Sequence, residues 1–320
     1  MVSYRIIVIV MLKSLAEYNK YRIAPIVHPT LHEFPMRHEE NQYLNLIDDI
    51  LSEGTKEEGR NGTTFAVVGA AMHFSLNDRR VPFLTTKRLA WKTCLKELLW
   101  FIRGDTDNRL LQAQGVHIWD GNSNGRPDGD LGPIYGFQWR NFGGTYEYGG
   151  EDNANKSLRK GVDQLQAVID ALKDPEQRTS RRLLISAWNP CQLHEMALPP
   201  CHVLMQFHVT DGTRLSCSLY QRSGDVGLGV PFNIASYSML THLLAHHCGL
   251  DAHEFIYHLG NAHIYDDHVT ALKEQATREP HEFPRIAIRA LYDDINDYQV
   301  GDFEVQGYQC HDAIPMAMRQ

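Results

Sequence analysis

The sequence predicts an α+β or irregular α/β fold. Three observations carry this. Helical and strand periodicities are interleaved without a regular βαβ alternation, and no internal repeat is evident. Apolar residues make up 43% of the 320, enough for a sizeable core.

Residues 1–38 hold no period and carry Pro25, Pro29 and Pro35, so they read as an N-terminal extension. Within them, 6–12 is the longest apolar run, well short of the ~20 residues a spanning helix needs. Arg5 precedes it, but no clean cleavage pattern follows, and it reads as a short strand or helix piece rather than a signal peptide. From Glu39 the chain reads as one domain, 39–320. Tyr43, Leu44, Ile47, Ile50 and Leu51 recur at helical spacing, with Gly54 as a stop. Residues 65–74 read as a strand. A helix is expected over 85–103, capped by Thr86, with Leu95, Leu98, Leu99 and Ile102 as its apolar stripe and Gly104 at its end. Residues 120–153 are rich in Gly, Asn and Asp, a long irregular region of the kind that is often functional. Val162, Leu165, Ile169 and Leu172 mark another helix. Strands follow over 182–188, 203–209 and 214–220, the last two joined by a hairpin at Asp211 and Gly212. A long helix over 235–247 turns Met239, Leu240, Leu243 and Leu244 inward and is closed by Gly249. Residues 255–259 and 286–290 are shorter strand candidates.

The chain has 31 Lys and Arg against 39 Asp and Glu, a formal charge of −8. That disfavours nucleic acid as the main partner, while a local arginine cluster still suits a single phosphate. Six scattered cysteines without a close Cys-x-x-Cys pair fit a reduced, cytoplasmic setting. Among 17 histidines, His242, His246 and His247 share a helix, but no Glu stands between them as a zinc motif requires. No metal is expected. Gly224, Gly227 and Gly229 follow a strand as a dinucleotide loop does, yet Pro231, Phe232 and Asn233 intervene before the helix. A tight turn with close ligand approach is the better reading.

Two groups invite chemistry. Cys201 lies in Leu198-Pro199-Pro200-Cys201-His202, where two prolines restrict the backbone at a strand mouth. A buried structural cysteine is the bland reading. Arg181, Arg182 and Arg222 supply cations that depress a thiol pKa and grip phosphate oxygens. Glu97 sits among apolar neighbours, which suits proton transfer, but pairing with Lys92 or Lys96 is an equally good reading.

At these residues the chain resembles the thymidylate synthase family. The resemblance is carried by Leu84-Thr85-Thr86-Lys87-Arg88, Glu97-Leu98-Leu99-Trp100-Phe101, the run 130–140, Ser180-Arg181-Arg182 and 196–202. The runs 220–225, 229–237 and 260–265 and the pair Gly307-Tyr308 complete it in the shared order, covering about 39–320. The resemblance implies a three-layer α/β type of fold, in which a large mixed sheet with flanking helices packs back to back in a homodimer. It implies reductive methylation of deoxyuridylate at C5, with 5,10-methylenetetrahydrofolate as one-carbon and hydride donor. By the resemblance, Cys201 is the nucleophile toward C6, Asn233 reads the N3–O4 edge, Glu97 moves protons and Tyr135 orders water near C5. Arg60, Arg222 and Ser223 hold the phosphate together with Arg181 and Arg182 from the opposite subunit, and His263 and Tyr265 bind the ribose. Asp225 accepts from the pterin, Ile118, Trp119, Asn122, Leu228, Gly229 and Phe232 line the folate pocket, Lys87 faces the folate tail, and Tyr308 and Met318 bind the folate from the closing C-terminal segment.

The chain departs from the family in two places. The loop 60–65 is one residue shorter than usual. The tail after Tyr308 lacks the usual Pro-His-Pro and ends on Arg319 and Gln320 instead of an apolar residue. Ordering such a tail costs more entropy, so weaker folate binding is expected. The same departures admit a deoxyuridylate hydroxymethylase, in which water replaces hydride. A catalytically silent RNA-binding protein on the same scaffold is the reading from another class, and the negative charge and full residue set oppose it.

Overall fold

The computed structural model describes residues 38–59, 61–148 and 160–319. Arg60 and the run 6–12 lie outside the described residues.

Eight helices and eight strands follow in chain order among the described residues. They are α1 (Asn41–Glu53), β1 (Thr55–Gly59), β2 (Gly62–Ser75), α2 (Trp91–Ile102), α3 (Asn108–Gln112), α4 (Asp120–Ser123), α5 (Tyr135–Asn141) and α6 (Gln164–Lys173). Then come β3 (Leu184–Ser186), β4 (His202–Thr210), β5 (Arg214–Asp225), α7 (Gly229–Cys248), β6 (Asp251–Tyr265), α8 (Val269–Ala276), β7 (Arg285–Ile288) and β8 (Phe303–Gln306). Six strands form one mixed sheet in the order β1-β2-β6-β5-β4-β3, and β7 pairs with β8. Only β5 and β6 run parallel within the large sheet; the other neighbours are antiparallel. A parallel pair needs a crossover, and α7 supplies it.

The core lies between the helices and one face of the sheet. The stripes read from the sequence are buried: Tyr43, Leu44, Ile47 and Ile50 on α1, Leu95, Leu98, Leu99 and Ile102 on α2, and Met239, Leu240, Leu243 and Leu244 on α7. Helix α7 packs on β5 and β6, α1 on β2, and α2 on α5 and α7. On the sheet's other face, Leu184 and Tyr220 stay exposed among half-buried Leu204, Ser218, Ile256 and His258. No helix of the described residues is long and apolar enough to cross a membrane.

Several expected boundaries move. Thr86 does not cap α2, which begins at Trp91. Instead the Glu40 carboxylate captures Thr85 and Thr86, taking both backbone N–H groups at 2.8–3.0 Å and both hydroxyls at 2.5–2.6 Å. Those amides are held by a carboxylate 45 positions earlier in the sequence, and the Thr86 hydroxyl is taken by Glu40 and by the Gln275 amide, so it is not free to cap the helix that starts at Trp91. Helix α7 starts at Gly229 and includes Pro231 and Asn233. Proline is tolerated in a first turn because its missing N–H would have no partner there. Gly249 closes α7 with φ 67°, as expected. The strand expected over 182–188 shrinks to β3, and the one over 255–259 is the centre of the 15-residue β6. In the irregular region the described part holds α4 and α5. The hairpin between β4 and β5 turns through Asp211 and Gly212 at φ 48° and 82°.

Glu40 is fully buried. Replacing it by Ala strands two amides in the interior and takes from both hydroxyls their short bond to the carboxylate. The expected loss is about 3–5 kcal/mol of unfolding free energy, read as a lower urea midpoint at unchanged slope.

Candidate active site

The site collects at one end of the large sheet. Strands β5 and β6 are parallel, so both end there; β4 is antiparallel to β5, so it begins there. The register sets Ser223 beside Asn261, Asp225 beside His263, and His202 beside Gln221. Helix α7 starts four residues after β5 ends. Near the end of β6 the buried row switches from Phe255, Tyr257 and Leu259 to Ala262 and Ile264, leaving His263 and Tyr265 facing the cavity. The switch falls at Gly260, where a Cβ would come within 2.9 Å of the Arg222 carbonyl oxygen. A cavity of about 270 Å³ opens here, lined by Ser223, His263 and Tyr265 together with Glu57, Gly59, Asn61, Gly62, Thr64 and Asn261.

Cys201 stands just before β4, with its backbone fixed on both sides. Its N–H donates to the Tyr135 hydroxyl at 2.8 Å, and its carbonyl accepts the Arg222 N–H at 3.0 Å. The Arg222 guanidinium donates to the Pro200 and Pro199 carbonyls at 2.9 and 2.8 Å and lies over the Trp188 ring. The prolines thus present two carbonyls that hold the Arg222 guanidinium near enough to act on the thiol. The expected depression of the thiol pKa is not met within the single chain. Burial pushes the Cys201 thiol up, and Arg222 and Tyr135 offset that only in part.

A wall of rings backs the cysteine. Tyr135 opens α5 and packs against Phe101, Trp119 and His202 at centroid distances of 4.9, 6.0 and 5.0 Å. Glu97 on α2 is buried and accepts the Trp119 indole N–H at 2.7 Å. The pairing with Lys92 or Lys96 is not seen: Lys96 donates to the Gln114 carbonyl instead. Burial raises the Glu97 carboxyl to about 7, against the Trp119 bond that favours the charged form. His202 is pushed the other way, down to about 4, first by burial. Asn233, buried in the first turns of α7, is the neighbour that favours the charged form of His202.

The loop between β5 and α7 is clamped from three sides. Asp225 Oδ1 accepts the Gly227 and Leu228 N–H groups at 2.8 and 3.3 Å, and the Tyr43 hydroxyl donates to the Val226 carbonyl at 2.8 Å. Lys87, expected at the folate tail, is buried and donates to the Gly227 carbonyl. Burial lowers its ammonium to about 8. Leu228, Gly229 and Phe232 follow on the same turn, half-buried, and Ile118 and Asn122 flank Trp119 at α4.

Three expected residues stand apart from this cluster. Arg181 and Arg182 are exposed and precede β3, whose partner positions on β4 are Leu204 to Gln206. At ~3.4 Å per residue the register sets them roughly 25 Å along the sheet from Cys201. Met318 is 52% exposed. Tyr308 donates to the Leu84 carbonyl at 2.8 Å and accepts the Leu89 N–H at 2.9 Å, which roots the tail beside α2.

Two contributors carry no periodic pattern and were not expected from the sequence: Glu40, and His268, whose Nε2 donates to the Ala317 carbonyl at 2.7 Å. Among the described residues no group of three or more His, Cys, Asp or Glu side chains is arranged to hold a metal. A larger groove, about 660 Å³, opens elsewhere, around the start of β6 and the end of α7, and none of the expected site residues line it.

The thymidylate synthase family model matches residues 41–320. A thymidylate synthase of the microsporidian Encephalitozoon cuniculi is 49% identical over 88% of this chain and 98% of its own length. The thymidylate synthase of equine herpesvirus 2 is 50% identical over the same shares. The human thymidylate synthase is 48% identical over 88% of this chain and 91% of its own. The chain belongs to the thymidylate synthase family.

Proposed function

We propose that residues 39–320 form a catalytic domain that converts deoxyuridylate to thymidylate, with 5,10-methylenetetrahydrofolate giving the one-carbon unit and the hydride and leaving as dihydrofolate. The observation that carries this is Cys201, its backbone held between Tyr135 and Arg222, with Glu97 and Asn233 on the elements around it.

The chemistry follows from the ring. C5 of uracil is a poor nucleophile, and C6 is the β-carbon of an unsaturated carbonyl. The Cys201 thiolate adds to C6, and the displaced electron pair makes an enolate across C4 and C5. C5 then attacks the folate methylene, loses its proton to water ordered by Tyr135, and expels the folate to leave an exocyclic methylene. Hydride from the folate reduces that methylene, and the returning enolate expels the thiolate. Negative charge develops on O4 in both enolates, where the Asn233 amide donates and Glu97 supplies a proton through water. At about 7, the Glu97 carboxyl is populated in both forms near neutrality, as a group that gives and takes protons requires. Trp119, bonded to Glu97, covers the methylene intermediate and favours hydride over water as its partner.

The nucleotide phosphate sits at Arg222, Ser223 and Arg60. Two of the five N–H donors of Arg222 are used on the proline carbonyls, and the rest are left for a phosphate. Arg181 and Arg182 reach it from the opposite subunit of a homodimer. Two facts support that arrangement: both are exposed and far from Cys201 in their own chain, and Leu184 and Tyr220 stay exposed on one face of the large sheet. Packing that face against its copy would bury it back to back. The six cysteines are all free thiols, in keeping with a reducing cytoplasmic setting.

Three outcomes are expected. Cys201→Ser lowers kcat by at least about 10³-fold with the fold intact by circular dichroism; turnover surviving this change removes the central assignment. Mixing inactive Cys201→Ser dimers with inactive dimers carrying Arg181→Glu and Arg182→Glu restores up to about a quarter of wild-type activity after subunit exchange, because one hybrid site in two is whole. If the arginines act within their own chain, the mixture stays inactive. The third outcome concerns Glu97, whose folded pKa lies above its ordinary 4.5. Stability on its account is full below about pH 4.5 and is lost as pH rises through about 7, by about 3 kcal/mol. Glu97→Gln removes that pH dependence in urea titrations and lowers kcat by about 10²–10⁴-fold.

A further inference from the structure

The C-terminal segment is laid along the site by a series of bonds. The His311 N–H donates to the Thr85 carbonyl at 2.8 Å, and Arg278 donates to the Asp312 carbonyl at 2.8 Å. Met316 lies against Gly227, and the Ala317 carbonyl takes the His268 ring N–H. The last described residue, Arg319, would ordinarily be a solvated charge. Here its Nη2 lies 2.9 Å from the Asp267 carboxylate and 3.4 Å from that of Asp266. Its guanidinium carbon lies 5.8 Å from the Tyr265 ring centre, and a Cβ placed on Gly62 would be 3.7 Å from its Nη1. Gly62 and Tyr265 both line the 270 Å³ cavity. Arg319 therefore stands where three parts meet: the tail, the strand end read as the ribose site, and the turn read as part of the phosphate site.

We propose that Arg319 is a positioning residue that latches the tail to the corner formed by Tyr265, Asp266 and Asp267, and so couples tail closure to the nucleotide pocket. This rests on the reading that the cavity takes deoxyuridylate and the tail covers the folate. A nucleotide that holds Tyr265 and the Gly62 turn still also holds the platform on which Arg319 stacks. Folate, which needs the tail closed, then binds a better-formed lid, and by linkage it tightens nucleotide binding by the same factor. The polar terminus, which by composition seals poorly, acquires through Asp266, Asp267 and Tyr265 a specific seat that an apolar residue could not use.

The test compares the full-length dimer with Arg319→Ala, Arg319→Lys and Asp267→Asn, using two readouts. Amide hydrogen exchange over 311–319 in the free protein is expected to quicken in Arg319→Ala and Asp267→Asn. Folate affinity measured with deoxyuridylate bound is expected to fall about three- to fivefold at low salt, as suits an exposed ion pair, and the gap to the wild type closes at high salt. Arg319→Lys recovers only part, since an ammonium restores the charge without the planar stack. Wild-type exchange together with wild-type, salt-independent folate binding in Arg319→Ala overturns the latch. A wild-type chain that converts no deoxyuridylate overturns the nucleotide reading instead, and the exchange data still judge the latch by themselves.

Discussion

The parallel pairing of β5 with β6 is the constraint on which the rest depends. Two parallel neighbours must be joined by a crossover, and here the crossover is a single 20-residue helix buried along most of its length. That geometry brings the end of β5, the end of β6 and the start of α7 to one place. Antiparallel β4 then starts at the same place, carrying Cys201 at its mouth. Residues separated by more than 60 positions in sequence meet because strand direction leaves them nowhere else to go.

Desolvation sets the electrical character of that place. The same burial raises Glu97 and Cys201 and lowers His202, so each group is pushed toward its neutral form. In the single chain the thiol is therefore held toward its neutral form, with Arg222 offsetting the burial only in part. A chemically competent thiolate then needs cations from outside the pocket wall. Arg222 is one, already held by the Pro199 and Pro200 carbonyls. The exposed pair Arg181 and Arg182, out of reach in its own chain, is the natural source of more. Under the proposed homodimer, a partner copy would account both for the exposed Leu184 and Tyr220 and for the cations that the thiol lacks in the single chain.

The rigid parts of the pocket are fixed by bonds that cross the molecule. Glu40 holds the 85–86 segment, Tyr43 and Lys87 hold the loop at Val226 and Gly227, and Tyr308 ties the tail's root to Leu84 and Leu89. Glu40, Tyr43 and Lys87 are buried away from water, where an unmade bond is costly, and Tyr308 is half-buried. The Lys87 ammonium belongs to this scaffold in the structure, holding the loop from which Asp225 and Leu228 project.

Much of the fold was legible in the residues. Helix α1 shows because one face of it meets a core, and burial with a 3.6-residue period leaves an apolar stripe; α7 is buried on nearly every side and shows by its apolar content and its closing glycine. Gly249 and the Asp211-Gly212 turn show because left-handed backbone selects residue type locally. Cys201 after its two prolines, Arg222, Asn233 and Glu97 were marked by composition and motif order. What tertiary structure alone decided has no period to read. Thr86 looks like a cap until Glu40 and Gln275 take its hydroxyl; Pro231 looks like a barrier until the helix starts two residues ahead of it. The full length of β6 is hidden because its burial row changes parity at Gly260, which breaks the alternation that marks a strand. The separation of Arg181 and Arg182 from Cys201, and the seat of Arg319 on Tyr265, depend on strand register and chain return. Local sequence records which side of an element meets the core, whereas contacts between distant segments exist only once the strands are paired.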